Sequence, residues 1–336
     1  MAEIKFQTAA VLGSGSFGTA VARLLQPNLD SIILIGREER QVAAINAGHR
    51  NPQYLKDIEL APHVTATTDV AAAVAVDVVI FAVPTSATRE AAEGLAAAGL
   101  PGHVPLVSCA KGIALETGER MSEILHSVFP ENPVAVLSGP NHAEEIARGM
   151  ATCAVIGSED ADLACRLQDL FTLPHFRSYT SEDVAGVEFG GAIKNIYAIA
   201  AGMAHGLGLG DNAVAALVTR ALAEMTRLGT TLGAQPETFA GLSGVGDLVV
   251  TCFSEHSRNH RVGLAIGRGD SLEAAVAALG MVAEGVPNTR SIYQLARRHN
   301  ARTPIIDAVY RILYEGQPAA VAMRELLNRD PRPEQS

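Results

Sequence analysis

Up to about Glu182 the chain alternates short β-branched runs with helical segments, and beyond that point the strand signals stop. The runs Ala9–Leu12, Ser31–Ile35, Asp77–Val83, Val104–Cys109, Val134–Leu137 and Thr152–Ile156 are bounded by Gly, Pro or Asp, the pattern of a parallel sheet built from βαβ units. After the switch, Val214, Leu217, Val218, Ala221, Leu222, Met225 and Leu228 follow helical spacing behind an Asp211-Asn212 start, with Gly229 and Gly233 closing the segment. Two later helices begin at Thr303-Pro304 and Gln317-Pro318, where proline suits the first turn. The pattern predicts the α/β class: an N-terminal domain with a parallel-rich sheet over 1–182, an all-helical domain over 183–330, and a flexible tail over 331–336. Aromatics are only 4% of the chain and tryptophan is absent, so the core is expected to be built from Ala, Val, Leu and Ile.

The first strand runs into G-S-G-S-F-G-T-A, with Gly13, Gly15 and Gly18 in GxGxxG spacing and a helix-like segment behind. In a dinucleotide site Gly13 permits the tight turn, Gly15 lets backbone approach a pyrophosphate, and Gly18 allows close helix–strand packing. A GxGxxG alone also fits an ordinary loop, and its strand–turn–helix context gives it weight. The second strand ends in Gly36-Arg37, where an NAD site usually shows an acidic residue for the ribose. Arginine there suits a 2′-phosphate and favours NADPH over NADH, with Glu38 beside it weakening the distinction.

Formal net charge is −10, which gives no general attraction to nucleic acid or anionic lipid, so any phosphate site must be local. Cys109, Cys153, Cys165 and Cys252 form no CxxC pair and read as reduced, mostly buried thiols. The N-terminus lacks the features of a signal peptide, and no uncharged apolar run reaches the ~18 residues of a spanning helix. A cytoplasmic protein without membrane insertion is expected.

Between Glu188 and Asp211 lies an apolar stretch whose only formally charged side chain is Lys194. Burial there would lower its pKa toward the range where it exchanges protons, whereas snorkelling would leave it an ordinary lysine. Ligands of open α/β sheets bind beyond the carboxyl ends of the strands, where Pro84-Thr85-Ser86, Lys111-Gly112 and Ser138-Gly139-Pro140-Asn141 fall. In the helical half Asp247 follows a glycine-rich turn, and Ser257-Arg258-Asn259 present a hydroxyl, a guanidinium and an amide suited to a phosphate monoester. A turn or cap for Asp247 and a hydrophilic loop for the triplet are the plain alternatives. Cys252, His256 and His260 would share one face of a continuous helix, but Arg258 and Arg261 would repel a cation, and no metal is expected. His205, amid glycines, reads as a satisfied structural histidine.

These blocks together resemble the bacterial NAD(P)-dependent glycerol-3-phosphate dehydrogenases. The resemblance rests on GSGSFGTA, CAKGI around Lys111, SGP at Ser138–Pro140, GGAIKN around Lys194, GVGDLVVTC around Asp247, SRN at Ser257–Asn259 and AEGV around Glu284, in order over nearly the whole chain. It implies a Rossmann-type domain followed by a helical domain, a homodimer, and a small phosphorylated substrate whose product feeds glycerophospholipid synthesis. It implies that Lys194 exchanges the proton at the substrate oxygen, aided by Lys111 and Asp247. Lys111, Gly139, Asn141, Lys194, Asp247, Ser257, Arg258 and Asn259 would surround the substrate. Ser16, Phe17, Arg37, Lys111, Ala143, Arg258, Val282 and Glu284 would contact the cofactor, NADPH or NADH. Two departures stand out: Asn141-His142 where the family usually has Ser or Thr then Phe, and Tyr54-Leu55-Lys56 where Tyr-Leu-Pro is common.

The implied reaction is reversible hydride transfer between NAD(P)H and dihydroxyacetone phosphate. A β-hydroxyacid or ketopantoate enzyme of similar architecture would also use a helical-domain lysine but gives no reason for the S-R-N triplet. A non-catalytic dinucleotide sensor would need the glycine loop without Lys194, Asp247 and Arg258.

Overall fold

The structure, a computed structural model, describes residues 5–327, so the tail expected over 331–336 lies outside the described residues. Where the sequence is continuously apolar, strands form that are buried on both faces: β1 (Thr8–Leu12), β2 (Ser31–Ile35), β4 (Val78–Phe81), β5 (Leu106–Ser108), β6 (Val134–Ser138) and β7 (Thr152–Gly157). Two further strands, β3 (Val64–Thr67) and β8 (Phe176–Ser181), escape the sequence pattern. They are the two edges of an eight-stranded sheet ordered β3-β2-β1-β4-β5-β6-β7-β8. V-T-A-T and F-R-S-Y-T-S alternate buried and more exposed positions, so neither shows the apolar run that marks the inner strands. All pairings are parallel except β6–β7.

The helices of the sheet half are α1 (Ser16–Leu25), α2 (Glu39–Gly48), α3 (Thr88–Ala97), α4 (Met121–Val128), α5 (Ala143–Ala147) and α6 (Ala161–Phe171). One face of the sheet packs Val11, Ile32, Ile80 and Leu137 with Leu25 of α1, and the other packs Leu12, Val79, Phe81 and Leu106 with Leu95 of α3. Strand order reverses between β1 and β4, the switch point where such sheets bind ligands.

The helical half holds α7 (Val184–Gly206), α8 (Asp211–Thr231), α9 (Pro236–Phe239), α10 (Asp247–Phe253), α11 (Arg258–Gly267), α12 (Leu272–Leu279), α13 (Gly285–Arg298), α14 (Pro304–Tyr314) and α15 (Ala319–Leu327). The chain enters α7 three residues after β8, with Asp183 accepting the Gly186 N–H as its cap. Because α7 is apolar all round, it becomes the buried axis against which α8, α10, α11, α13 and α14 pack. Its seam with α11 is backbone on backbone: a Cβ at Gly202 would lie 2.1 Å from the His260 carbonyl oxygen, and one at Gly263 would lie 2.0 Å from that of Ile199. Two of the four thiols, Cys109 and Cys252, are buried, whereas Cys165 is exposed and Cys153 half-buried, so "mostly buried" overstates the cysteines.

Candidate active site

The β1–α1 loop has the glycines where backbone crowding demands them. Gly13 adopts φ +112°, and a Cβ on it would sit 2.6 Å from the Ala82 carbonyl oxygen; one on Gly18 would sit 1.8 Å from that of Gly13. Above Gly15 the space is open, since a Cβ there meets nothing within 4 Å. Gly15 also caps α1 without any side chain, so the first-turn N–H groups, from Ser16 and Phe17 onward, are available to an anion. This cradle fits a dinucleotide pyrophosphate. Arg37 is exposed at the end of β2, on the neighbouring strand.

In the helical half Lys194 is only 4% exposed on the buried axis, so it does not snorkel. Gly190 and Gly191 cut a notch in α7 one turn before it. A Cβ on Gly190 would strike the Ser243 carbonyl at 2.3 Å, and one on Gly191 would meet the Ser138 hydroxyl at 2.7 Å and the Lys111 side chain at 3.4 Å. Ser243 belongs to a π-helical turn over Leu242–Gly246 that delivers Asp247 to the start of α10. Lys194 Nζ donates to Asp247 Oδ1 at 2.5 Å and to Thr251 Oγ1 at 2.7 Å. Lys111 Nζ donates to the other carboxylate oxygen, Asp247 Oδ2, at 2.8 Å, and also to the Gly139 carbonyl at 2.8 Å and Asn141 Oδ1 at 2.7 Å.

An ammonium carries three hydrogens. Those of Lys111 are all committed within the protein, whereas Lys194 keeps one. Lys111 therefore supplies positive potential rather than a free donor. Burial drives Lys194 down to about 8, with Asp247 pulling it up and Lys111 pushing it further down. Burial alone would raise Asp247, but the two lysines outweigh it and hold the carboxyl below its ordinary range. The Lys111 backbone is fixed as well: its carbonyl accepts from Asn195 Nδ2 of α7 at 3.1 Å and Asn288 Nδ2 of α13 at 2.9 Å.

The triplet divides its labour. Ser257 caps α11, its hydroxyl accepting the His260 N–H, and the Asn259 amide donates to Asn195 Oδ1 at 2.9 Å while accepting the Gly285 N–H at 2.9 Å. Arg258 is exposed at the helix start, whereas Ser257 and Asn259 are buried beside it with a hydroxyl hydrogen and an amide hydrogen left over. Glu284 accepts the Thr85 N–H at 3.1 Å and joins the helical half to the end of β4. Ala143 is buried at the start of α5, and Val282 is exposed in the loop before α13. Chain at Ser254 interrupts the helix between Cys252 and His260, so the residues of the metal alternative share no helix face. His205 Nδ1 meets His260 Nε2 at 2.8 Å, which satisfies it.

Thr85 Oγ1, Ser108 Oγ, Ser138 Oγ, Asn141 Nδ2 and His142 Nε2 are buried and make no hydrogen bond within the protein. They cluster at or just beyond the carboxyl ends of β4, β5 and β6, as a site for a polar ligand requires. His142, pushed by burial and by Lys194 and Lys111 to about 4, is neutral there at pH 7. Thr251 was not singled out from sequence, yet it lies one helical turn from Asp247, and D-x-x-x-T spacing at a helix start could have marked it. Asn195 and Asn288 carry no comparable local signal.

Residues 8–164 match the family model described as NAD-dependent glycerol-3-phosphate dehydrogenase N-terminus, and residues 183–324 match that described as its C-terminus. A relative named glycerol-3-phosphate dehydrogenase [NAD(P)+], from Myxococcus xanthus, is 48% identical over 97% of this chain and 98% of its own. The chain belongs to the NAD-dependent glycerol-3-phosphate dehydrogenase family. Another member of that name, from Limosilactobacillus reuteri, is 46% identical over 96% of this chain and 97% of its own. A crystal structure of glycerol-3-phosphate dehydrogenase from Coxiella burnetii superposes with a TM-score of 0.93 at 35% identity, covering 96% of this chain and 99% of that one. A ketopantoate reductase from Ralstonia eutropha shares the fold at a TM-score of 0.61 and 17% identity, over 96% of this chain and 100% of that one. The fold is thus shared beyond the glycerol-3-phosphate dehydrogenase family, and architecture alone does not set this chain's substrate.

Proposed function

We propose that the chain reversibly interconverts dihydroxyacetone phosphate and sn-glycerol 3-phosphate with NAD(P)H. The observation that carries this reading is the buried Lys194 ammonium, held by Asp247 and Thr251 with one hydrogen uncommitted. When bound, the nicotinamide cofactor supplies or accepts the hydride. As negative charge develops on the substrate's carbonyl oxygen, Lys194 donates its remaining proton there, and Lys111 adds positive potential through the shared Asp247 carboxylate. Asn141 Nδ2, buried and without a protein partner, is a donor for a substrate hydroxyl or phosphate oxygen. Arg258 and the start of α11 attract the phosphate. The cradle from Gly13 to Gly18 holds the pyrophosphate, with Ala143, Val282 and Glu284 completing the cofactor side. The division of labour falls at residue 182, between β8 and α7.

The deciding assay is oxidation of NADPH and NADH with dihydroxyacetone phosphate, against ketopantoate and β-ketoacids as controls. Turnover confined to the controls, or none at all, overturns the reading. Arg37 makes NADPH the preferred cofactor, so Arg37→Ala should raise KM for NADPH more than for NADH; equal effects remove that assignment. The same reading makes the chain a cytoplasmic homodimer whose product feeds glycerophospholipid synthesis, and light scattering on the purified protein tests the dimer. No described helix is long and apolar enough to cross a membrane.

A further inference from the structure

Ser14 stands between the first two glycines of the cradle, and a buried amide cluster fixes it from behind. Its hydroxyl donates to Gln41 Oε1 at 2.6 Å, and its carbonyl accepts from Gln41 Nε2 at 3.1 Å and Asn51 Nδ2 at 2.8 Å. Asn51 Nδ2 also donates to Thr19 Oγ1 of α1 at 2.8 Å, and Asn51 Oδ1 accepts from Gln41 Nε2 and from the Gln53 and Tyr54 backbone N–H groups, each at 3.2 Å. Asn51 and Thr19 are 0% exposed, and Ser14 and Gln41 are 7% exposed. Gln41 lies on α2, four residues after Arg37, and the two loops touch: a Cβ on Gly36 would meet the Ser14 hydroxyl at 2.7 Å.

An uncharged cluster of this kind contributes nothing to the sheet ladder or the apolar core. What it does is turn the Ser14 carbonyl inward, away from any anion above Gly15, and tie the β1–α1 loop to the β2–α2 segment that carries Arg37. A loop with glycine on both sides of Ser14 has many accessible conformations, so an external brace is what keeps its N–H groups aimed outward. We infer that Gln41 and Asn51 are positioning residues for the cofactor, bracing the pyrophosphate cradle and the Arg37 segment in one fixed relation. They act through Ser14 and touch no ligand. The inference rests on dinucleotide use by this chain.

The test compares Asn51→Ala with the milder Gln41→Met and Thr19→Val, measuring Kd for NADPH and NADH by fluorescence titration, steady-state kinetics with dihydroxyacetone phosphate, and thermal unfolding. Asn51→Ala should weaken both dinucleotides by about tenfold, the worth of one net hydrogen bond. The KM for dihydroxyacetone phosphate and kcat at saturating cofactor should stay within about twofold, since Lys194 and Asp247 are untouched. Gln41→Met and Thr19→Val should shift cofactor Kd in the same direction by less, and they decide the matter should Asn51→Ala fail to fold. Unchanged cofactor Kd in folded variants, whatever their thermal stability, overturns the inference, as does an equal loss of cofactor and substrate affinity. A wild-type chain that binds NADPH but turns over no substrate would sink the proposed activity and leave this comparison of Kd values standing.

Discussion

Two carboxylates of the helical half, Asp247 and Glu224, are each 1% exposed, and they titrate in opposite directions. Asp247 faces two ammonium groups at hydrogen-bond distance and is held below the ordinary carboxylate range despite its burial. Glu224, on α8, is hydrogen-bonded by dipoles alone, the N–H groups of Ile305 and Ile306 at the start of α14, at 2.9 and 3.0 Å, and the Tyr197 hydroxyl at 3.4 Å, while the charges of Arg227 and Asp307 act on it in opposite directions. Burial pushes it up to about 7, and those backbone bonds pull it back only in part. Equal burial thus leaves one acid a permanent charge and the other a clip between helices that takes up its proton near neutral pH. Ammonium groups at hydrogen-bond distance, rather than depth, set the two carboxylates apart.

The largest effect belongs to the charged site. Lys194→Met should lower kcat by ~10²–10⁴ while NADPH still binds, as measured by stopped-flow turnover beside a binding titration. Near-normal turnover would remove Lys194 from the mechanism. With Lys194 near 8, ketone reduction should decline as pH rises through about 8 while alcohol oxidation increases through the same range, because reduction needs the ammonium and oxidation the free amine. Asp247→Asn should cost kcat on the order of a hundredfold and move that inflection to lower pH, since Asp247 is what pulls Lys194 upward. If the profile stayed in place and only stability fell, Asp247 would be a joint like Glu224.

The smallest effect on turnover belongs to Glu224→Gln, for which kcat should stay within about twofold. Its signature is in stability. Glu224 has a folded pKa of about 7 against an ordinary 4.5, so the folded chain binds the extra proton in that window. The contribution is complete below 4.5 and is lost as pH rises through about 7. Glutamine offers one acceptor where the two N–H groups use two oxygens, so the variant should lose roughly 1–3 kcal/mol near pH 5 and less near pH 8. Urea unfolding at both pH values checks this, and an equal loss at both would show that Glu224 is not protonated in the folded chain.

What the sequence discloses here follows the range of the forces involved. The inner strands, the glycine loop, the helix start at Pro304 and the one just after Pro318 were legible because each is set by neighbouring residues. Lys194 was legible as a charge in apolar company, and its burial decides between proton exchange and snorkelling. The edge strands β3 and β8 were not, because a strand buried on one face and open on the other has no local run to show. Nor could spacing reveal that Lys111 spends its hydrogens on Gly139, Asn141 and Asp247, or that Asn259 ties α7 to α13. Those bonds join residues far apart in the chain and exist only once the topology has brought the elements together.

The seam between α7 and α11 has a consequence for ligand access. Helices separated by side chains can slide as rotamers change, but at Gly202 and Gly263 each backbone rests directly on the other, and there is nothing between them to rearrange. Lys194 on α7 and Arg258 at the start of α11 therefore travel as one body. A ligand that spanned the two could not enter by parting them. Any opening has to come between the sheet half and the helical half, and there it must break side-chain bonds rather than a backbone seam, among them Thr85–Glu284, Lys111–Asp247 and the Asn195 and Asn288 bonds to the Lys111 carbonyl.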